Sequence, residues 1–219
     1  MNYQIDAPGS AIRTTVKLPA SKSISNRALI LNALSYSAYD VENLSDCDDT
    51  NLMVKALNSN DRDFNVGAAG TTMRFLTAFL SKVVGEWTIT GTERMKNRPI
   101  KVLVDALNAL GARIEYMEKE GYPPLRIFGS ALQGGEISLP GNVSSQYISA
   151  ILMIAPLTEN GVTLHLEGAI ISRPYIHITL QLMEQYGVRA SWTENTIKVL
   201  PQEYLSLIHI SEPTRRVVI

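Results

Sequence analysis

The chain has 219 residues, enough for one large domain or two small ones. It is 45% hydrophobic and 19% charged, an ordinary globular balance with ample core material. A net charge of −1 argues against bulk binding to nucleic acid or to a membrane surface.

No run approaches the roughly 18 apolar residues of a membrane span, and Met1 to Ala20 lacks the apolar stretch of a signal peptide. Cys47 is the one cysteine, which excludes an internal disulfide and points to a cytoplasmic chain. Its neighbours Asp46, Asp48 and Asp49 are expected to raise the thiol pKa, leaving it a structural residue. His165, His177 and His209 lie far apart without ligand spacing, so no metal is expected. No Walker A pattern and no G-x-G-x-x-G is present.

In chain order, Arg13 to Leu18 reads as a strand ending at Pro19. Ile24, Ala28, Leu29, Leu31 and Leu34 then mark a helix whose start, Ser21-Lys22-Ser23, offers hydroxyl caps. Lys22 is anomalous there, because a cation opposes the dipole at a helix N-terminus. Free N–H groups plus a lysine make sense if an anion sits between them, and Arg27 shares a face with Ser23. The alternative is a capped surface helix with solvated charges.

Val41 to Asn43 reads as a strand, Asp49 to Leu57 as a helix, and Asp63 to Val66 as a short closing hairpin. Thr71 to Lys82 is a helix and Glu86 to Thr90 a strand. Arg98-Pro99 opens a helix that ends at Gly111, followed by strands at Ala112 to Tyr116 and Leu125 to Phe128. The pattern then recurs. Ser145 to Ala155 is a helix and Gly161 to Leu166 a strand. Arg173-Pro174 opens a helix ending at Gly187, and Val188 to Trp192 and Ile197 to Leu200 are strands.

The two Arg-Pro helices lie 75 residues apart (173 − 98), and the helices before them start 74 apart (145 − 71). The repeated unit is a lead-in strand, then helix, strand, helix, strand, strand. The Ser21-Lys22-Ser23 helix opens a third, shorter copy. Three copies should pack symmetrically over a shared core of helices. Symmetry would then bring Ser21-Lys22-Ser23, Ala69-Gly70-Thr71-Thr72 and Ser144-Ser145-Gln146 to one face. Helix starts so gathered form an anion site, with Arg27, Arg74 and Arg98 nearby. Arg94 to Lys101 is a local basic cluster that suits a phosphate or carboxylate.

Five motifs carry a resemblance. Ser21-Lys22-Ser23-Ile24-Ser25-Asn26-Arg27, Ala69-Gly70-Thr71-Thr72-Met73-Arg74, Arg94-Met95-Lys96-Asn97-Arg98-Pro99-Ile100, Ser144-Ser145-Gln146-Tyr147 and Ser172-Arg173-Pro174-Tyr175 occur in this order. From about Val16 to Val199 the chain resembles the 5-enolpyruvylshikimate-3-phosphate synthase family (3-phosphoshikimate 1-carboxyvinyltransferases). The resemblance implies an inside-out α/β barrel of three βαβαββ repeats, one of two domains that flank a ligand cleft. It implies transfer of the enolpyruvyl group of phosphoenolpyruvate to the 5-hydroxyl of shikimate 3-phosphate, with no metal or organic cofactor. The full-length enzyme is expected to be a monomer.

By motif, the resemblance gives Lys22 contacts to both substrates and a catalytic role in stabilising charge. Ser23, Arg27, Ser144, Ser145, Gln146 and Ser172 would bind shikimate 3-phosphate, and Tyr175 would line the site. Gly70 would let the backbone approach phosphoenolpyruvate, and Arg98 would bind that substrate's anionic groups. The chain departs from the family at Ala68, commonly Asn, and at Phe75, commonly Pro. The related UDP-N-acetylglucosamine enolpyruvyl transferases usually carry Asn where this chain has Ser23, and a reactive loop cysteine that Cys47 does not match. A non-catalytic anion-binding domain of the same architecture is the other alternative.

Family members are about twice as long, as two ordinary domains require. Residues 17–204 are therefore expected to form the three-repeat substrate-binding domain, and residues 1–16 to belong with a second domain. The groups that move protons are expected in that other half. Leu205 to Ile219 fits no repeat and resembles translated sequencing-adapter read-through, so a loosely or opportunistically packed tail is expected.

Overall fold

The computed structural model describes Gly9 and residues 13–206. Three helices open the chain's path toward the core: α1 (Lys22–Leu34), α2 (Asp48–Leu57) and, after the short strand β1 (Asp63–Asn65), α3 (Gly70–Lys82). Then come β2 (Gly85–Thr90), α4 (Glu93–Lys96), α5 (Lys101–Ala109), β3 (Arg113–Tyr116) and β4 (Leu125–Gly129). The last unit is β5 (Gly135–Pro140), α6 (Ser145–Ile154), a 3-10 turn (Ala155–Leu157), β6 (Val162–Glu167), α7 (Arg173–Gln185), β7 (Ala190–Thr193) and β8 (Thr196–Val199).

The strands form two four-stranded sheets of the same topology, β1-β2-β4-β3 and β5-β6-β8-β7. In each, the first pair is parallel and the other two pairs are antiparallel. A parallel pair needs a crossover, and α3 and α6 supply it. These two helices are buried almost all round. Ile148, Ile151, Leu152, Met153 and Ile154 of α6 meet Met73, Phe75 and Leu76 of α3 within one core. Helix α5 is buried only on the stripe Leu103, Val104, Ala106 and Leu107. The strands alternate, with Ile137 and Leu139 of β5 and Val162, Leu164 and Leu166 of β6 inward. Helices therefore sit inside and sheets outside, as the repeat implies.

The structure corrects five details. Arg13 to Leu18 and Val41 to Asn43 are not strands. A strand needs a partner, and no described strand pairs with either; Asn43 also leaves the extended region at φ +54°. Asp63 to Asn65 pairs in parallel with β2, so it is the lead-in strand of the second unit and not a hairpin closing the first. Among the described residues the first unit thus contributes two helices and no sheet. Helix α3 begins at Gly70, so the first helices of the two complete units start 75 apart (145 − 70), the same interval as the Arg-Pro motifs. Pro174 lies in the first turn of α7 as expected, whereas Pro99 precedes α5, which starts only at Lys101.

Gly111 and Gly187 end α5 and α7 at φ +99° and +84°. The N–H of Ala112 reaches the Leu107 carbonyl, and that of Val188 reaches Met183, closing both helix ends with the expected left-handed cap. Leu205 lies against Gly187 and donates its N–H to the Tyr186 carbonyl at 2.9 Å, so the segment after Tyr204 begins by packing on α7. Residues 207–219 and most of 1–16 lie outside the described residues. No helix among the described residues is long and apolar enough to cross a membrane.

Candidate functional site

A polar chain joins the starts of four helices. Lys22 at the head of α1 places Nζ 3.7 Å from Oδ2 of Asp49, near the head of α2. Oδ1 of Asp49 accepts the N–H of Thr71 at 3.0 Å, and the Asp49 carbonyl accepts the Thr72 hydroxyl at 2.6 Å. Thr71 Oγ1 in turn accepts Nε2 of Gln146 at the head of α6, 3.0 Å away. The N-termini of α1, α3 and α6 thus share one face, as the repeat symmetry anticipated, and the start of α2, which it did not include, joins them through Asp49. Hydroxyl caps are fewer than anticipated. Ser144 Oγ accepts the Gln146 N–H at 3.4 Å, but Ser21 makes no side-chain cap and Ala69 has none to offer. The first N–H groups of α1 hence keep the partial positive charge of a helix start.

Arg98 lies against Gly70. A Cβ on Gly70 would meet the guanidinium, with Nη2 at 2.7 Å and Cζ at 2.8 Å. Only glycine permits this approach at the head of α3. The backbone beside Arg98 is pinned from two sides: the Pro99 carbonyl accepts Tyr147 Oη at 2.7 Å and Arg74 Nη2 at 3.2 Å. Arg74 also donates to the Gly70 carbonyl at 3.1 Å. It is buried with no carboxylate in ion-pair contact among the described residues. Burial lowers its pKa, Tyr147 raises it, and the positive charge of Arg98 lowers it further.

Arg27 was expected to face a ligand, and its position differs from that. It is 2% exposed. Its Nε donates to Thr179 at 2.7 Å, Nη2 to Ser149 at 2.8 Å, and Nη1 to the Ser23 carbonyl at 2.7 Å. Its guanidinium also stands 5.3 Å from the Phe75 ring, the residue where the family commonly has proline. Burial lowers its pKa to about 10, while Tyr175 raises it. Arg27 therefore ties α1 to α6 and α7 and holds the Ser23 backbone in place. Arg74 and Arg27 occupy matching places, each donating to the carbonyl four residues back, and Ser149 stands at the corresponding place of α6.

Of the other expected residues, Ser145 is buried and Ser144 exposed, while Ser23, Gln146 and Ser172 are half-buried. Ser172 precedes α7 and makes no cap. Asp49 is the residue that sequence reasoning missed; it was read only as a neighbour of Cys47. The thiol itself departs from expectation. Burial raises its pKa, but bonds from Thr50 and Ser45 outweigh this and lower it, against the push from Asp49. A depression of about 640 Å³ lies at the opposite end, lined by Leu34, Phe79, Pro156 and Leu157 where the central helices finish. It contains none of the expected residues.

Fold and face together define the class: a repeated-unit α/β domain with helix N-termini and cations gathered on one side. Residues 7–60 and 57–212 match the family profile described as EPSP synthase (3-phosphoshikimate 1-carboxyvinyltransferase), and the chain belongs to that family. It is 60% identical over 205 residues to a 3-phosphoshikimate 1-carboxyvinyltransferase of Bacteroides fragilis strain YCH46, covering 93% of this chain and 50% of that protein. It is 44% identical to one of Pseudoalteromonas atlantica, covering 83% and 48%. The solved EPSP synthase from Acinetobacter baumannii shares the fold at TM-score 0.77 and 21% identity, covering 87% of this chain and 48% of that one. The chain spans about half the length of the curated relatives it matches.

Proposed function

We propose that this chain supplies one wall of a 3-phosphoshikimate 1-carboxyvinyltransferase site. In that reaction the 5-hydroxyl of shikimate 3-phosphate adds to C2 of phosphoenolpyruvate while C3 takes a proton. The tetrahedral adduct then loses phosphate and a C3 proton, leaving the enolpyruvyl ether. Both substrates are anionic, and the observation that carries the reading is the junction of Lys22, Asp49, Thr71 and Gln146. It gathers four helix N-termini beside a cation.

In this reading Lys22 contacts both substrates and stabilises the charge that builds at the reacting carbon. Arg98, drawn against Gly70, binds phosphoenolpyruvate, whose carboxylate or phosphate suits a two-pronged guanidinium. Ser144, Ser145 and Gln146 take the 3-phosphate at the head of α6, with Ser23 and Ser172 beside them. Arg27 acts from behind by fixing the Ser23 backbone, and reaches the substrate only if its present bonds exchange. Residues 17–204 form the substrate-binding domain, and the proton-moving groups come from a second domain. The full-length enzyme is read as a cytoplasmic monomer, and the net charge of −1 on this chain is against bulk binding of this half to nucleic acid or membrane.

Calorimetric titration of the purified chain with shikimate 3-phosphate tests the reading. Millimolar binding that weakens about tenfold in Lys22→Ala is expected. An intact fold with no heat at millimolar ligand contradicts it.

A further inference from the structure

We propose that Asp49 is a positioning residue, which aims Lys22 and fixes the Gly70–Thr71 turn. The proposal rests on the functional reading above and adds a residue to it. A carboxylate on an anion-binding face is chemically awkward, because it repels the ligand. Its geometry accounts for its presence. Asp49 is the second residue of α2, so the start of its own helix stabilises its charge. One carboxylate oxygen satisfies the orphan N–H of Thr71, directly after Gly70, and the other stands by Lys22 Nζ. The main-chain carbonyl takes the Thr72 hydroxyl. A single residue thus engages the heads of α1 and α3 from the head of α2.

The exposures assign the roles within the pair. The Asp49 side chain is 17% exposed and that of Lys22 46% exposed, so the carboxylate is the anchored partner and the ammonium the freer one. Lys22 stands where the α1 dipole disfavours a cation, and Asp49 offsets that penalty. At 3.7 Å the contact is an ion pair longer than a hydrogen bond, so Asp49 holds the ammonium near the face by charge and leaves its three N–H donors open to a ligand. The same carboxylate orients the turn on which Arg98 rests, so both cations of the face are positioned from one point.

The test uses Asp49→Asn, which keeps shape and a hydrogen-bond acceptor for Thr71 but removes the charge. In the ligand-free chain, NMR relaxation at the Lys22 side-chain carbons is expected to show greater mobility in Asp49→Asn, with the circular dichroism unchanged. Equal order in both proteins overturns the proposal. With shikimate 3-phosphate as the probe, Asp49→Asn is expected to raise the dissociation constant about fivefold, and to have no further effect once Lys22 is alanine. The same loss in the Lys22→Ala background, or tighter binding in Asp49→Asn, also overturns it. Unchanged affinity in Lys22→Ala alone contradicts the functional reading, and the relaxation data then decide the role of Asp49 independently.

Discussion

Arg27 of α1 donates Nε to the Thr179 hydroxyl of α7 at 2.7 Å, across 152 residues of sequence. Thr179 passes its own proton to the Tyr175 carbonyl at 3.0 Å, so Ser149 is the donor in the 2.8 Å bond between the two hydroxyls. A charged group thus sits inside the core with neutral partners only. Replacing Thr179 by valine keeps the shape and removes the acceptor, which leaves a buried guanidinium N–H unpaired. The expected loss is about 2 kcal/mol, a fall in melting temperature of about 4–8 °C. A calorimetric scan measures it. A change no larger than that of an exposed control such as Arg113→Ala would show the network to be unimportant for stability.

Gly70→Ala separates binding from folding. The added methyl meets the flexible end of Arg98, and the backbone at Gly70 needs no left-handed conformation. Folding stability should change by less than about 1 kcal/mol, while the guanidinium must leave its place. Phosphoenolpyruvate titration in the presence of shikimate 3-phosphate, using the protein at its relatives' full length, should show affinity reduced about tenfold. Unchanged affinity would mean that Arg98 does not bind from this position.

High pH should unfold the chain through its tyrosines. Burial pushes Tyr116 and Tyr186 up to about 12, and Tyr204 well above the usual value of 10.0. These groups stay protonated in the folded chain while their unfolded counterparts ionise near 10. Their stabilisation is full below pH 10 and is lost as pH rises toward 12. Arg27 runs the opposite way: its pKa is lowered to about 10, so the folded state gains relative stability as pH rises past that value. Arg74, also lowered by burial, acts with Arg27, while Lys96 and Lys101, raised by their bonds to Glu118 and Glu120, act with the three tyrosines, and the net direction is loss. Urea midpoints from pH 9 to 11.5 should fall, and tyrosinate absorbance should rise together with unfolding.

The longer helices and most of both complete units are legible from local signals, but not the four-residue α4 or the lead-in strand β5. Arg98-Pro99 and Arg173-Pro174 mark equivalent places, and Gly111 and Gly187 mark the ends that need positive φ. The lead-in strand β1 was misread because three residues, Asp63–Asn65, carry no sign of their partner; the register to Thr88–Thr90 exists only after α3 folds back. Asp49 was hidden for the same reason. Its partners Lys22 and Thr71 lie 27 and 22 residues away on different helices, and no spacing rule relates them. Arg27 is legible as a member of the face, but its burial is not. Its helical spacing from Ser23 is right, yet hydroxyls that only the fold brings close, Ser149 of α6 and Thr179 of α7, take its donors.

A substrate wall made of helix starts must bind its ligand there and not at the other end of the helices. Amide chemical-shift mapping of the isotopically labelled chain with shikimate 3-phosphate tests it most directly. Shifts confined to Lys22–Ser23, Gly70–Thr72, Ser144–Gln146 and the Ser172–Arg173 turn are expected. Shifts clustered instead around Leu34, Phe79 and Pro156 at the opposite end, or none at millimolar ligand with the fold intact, would contradict it.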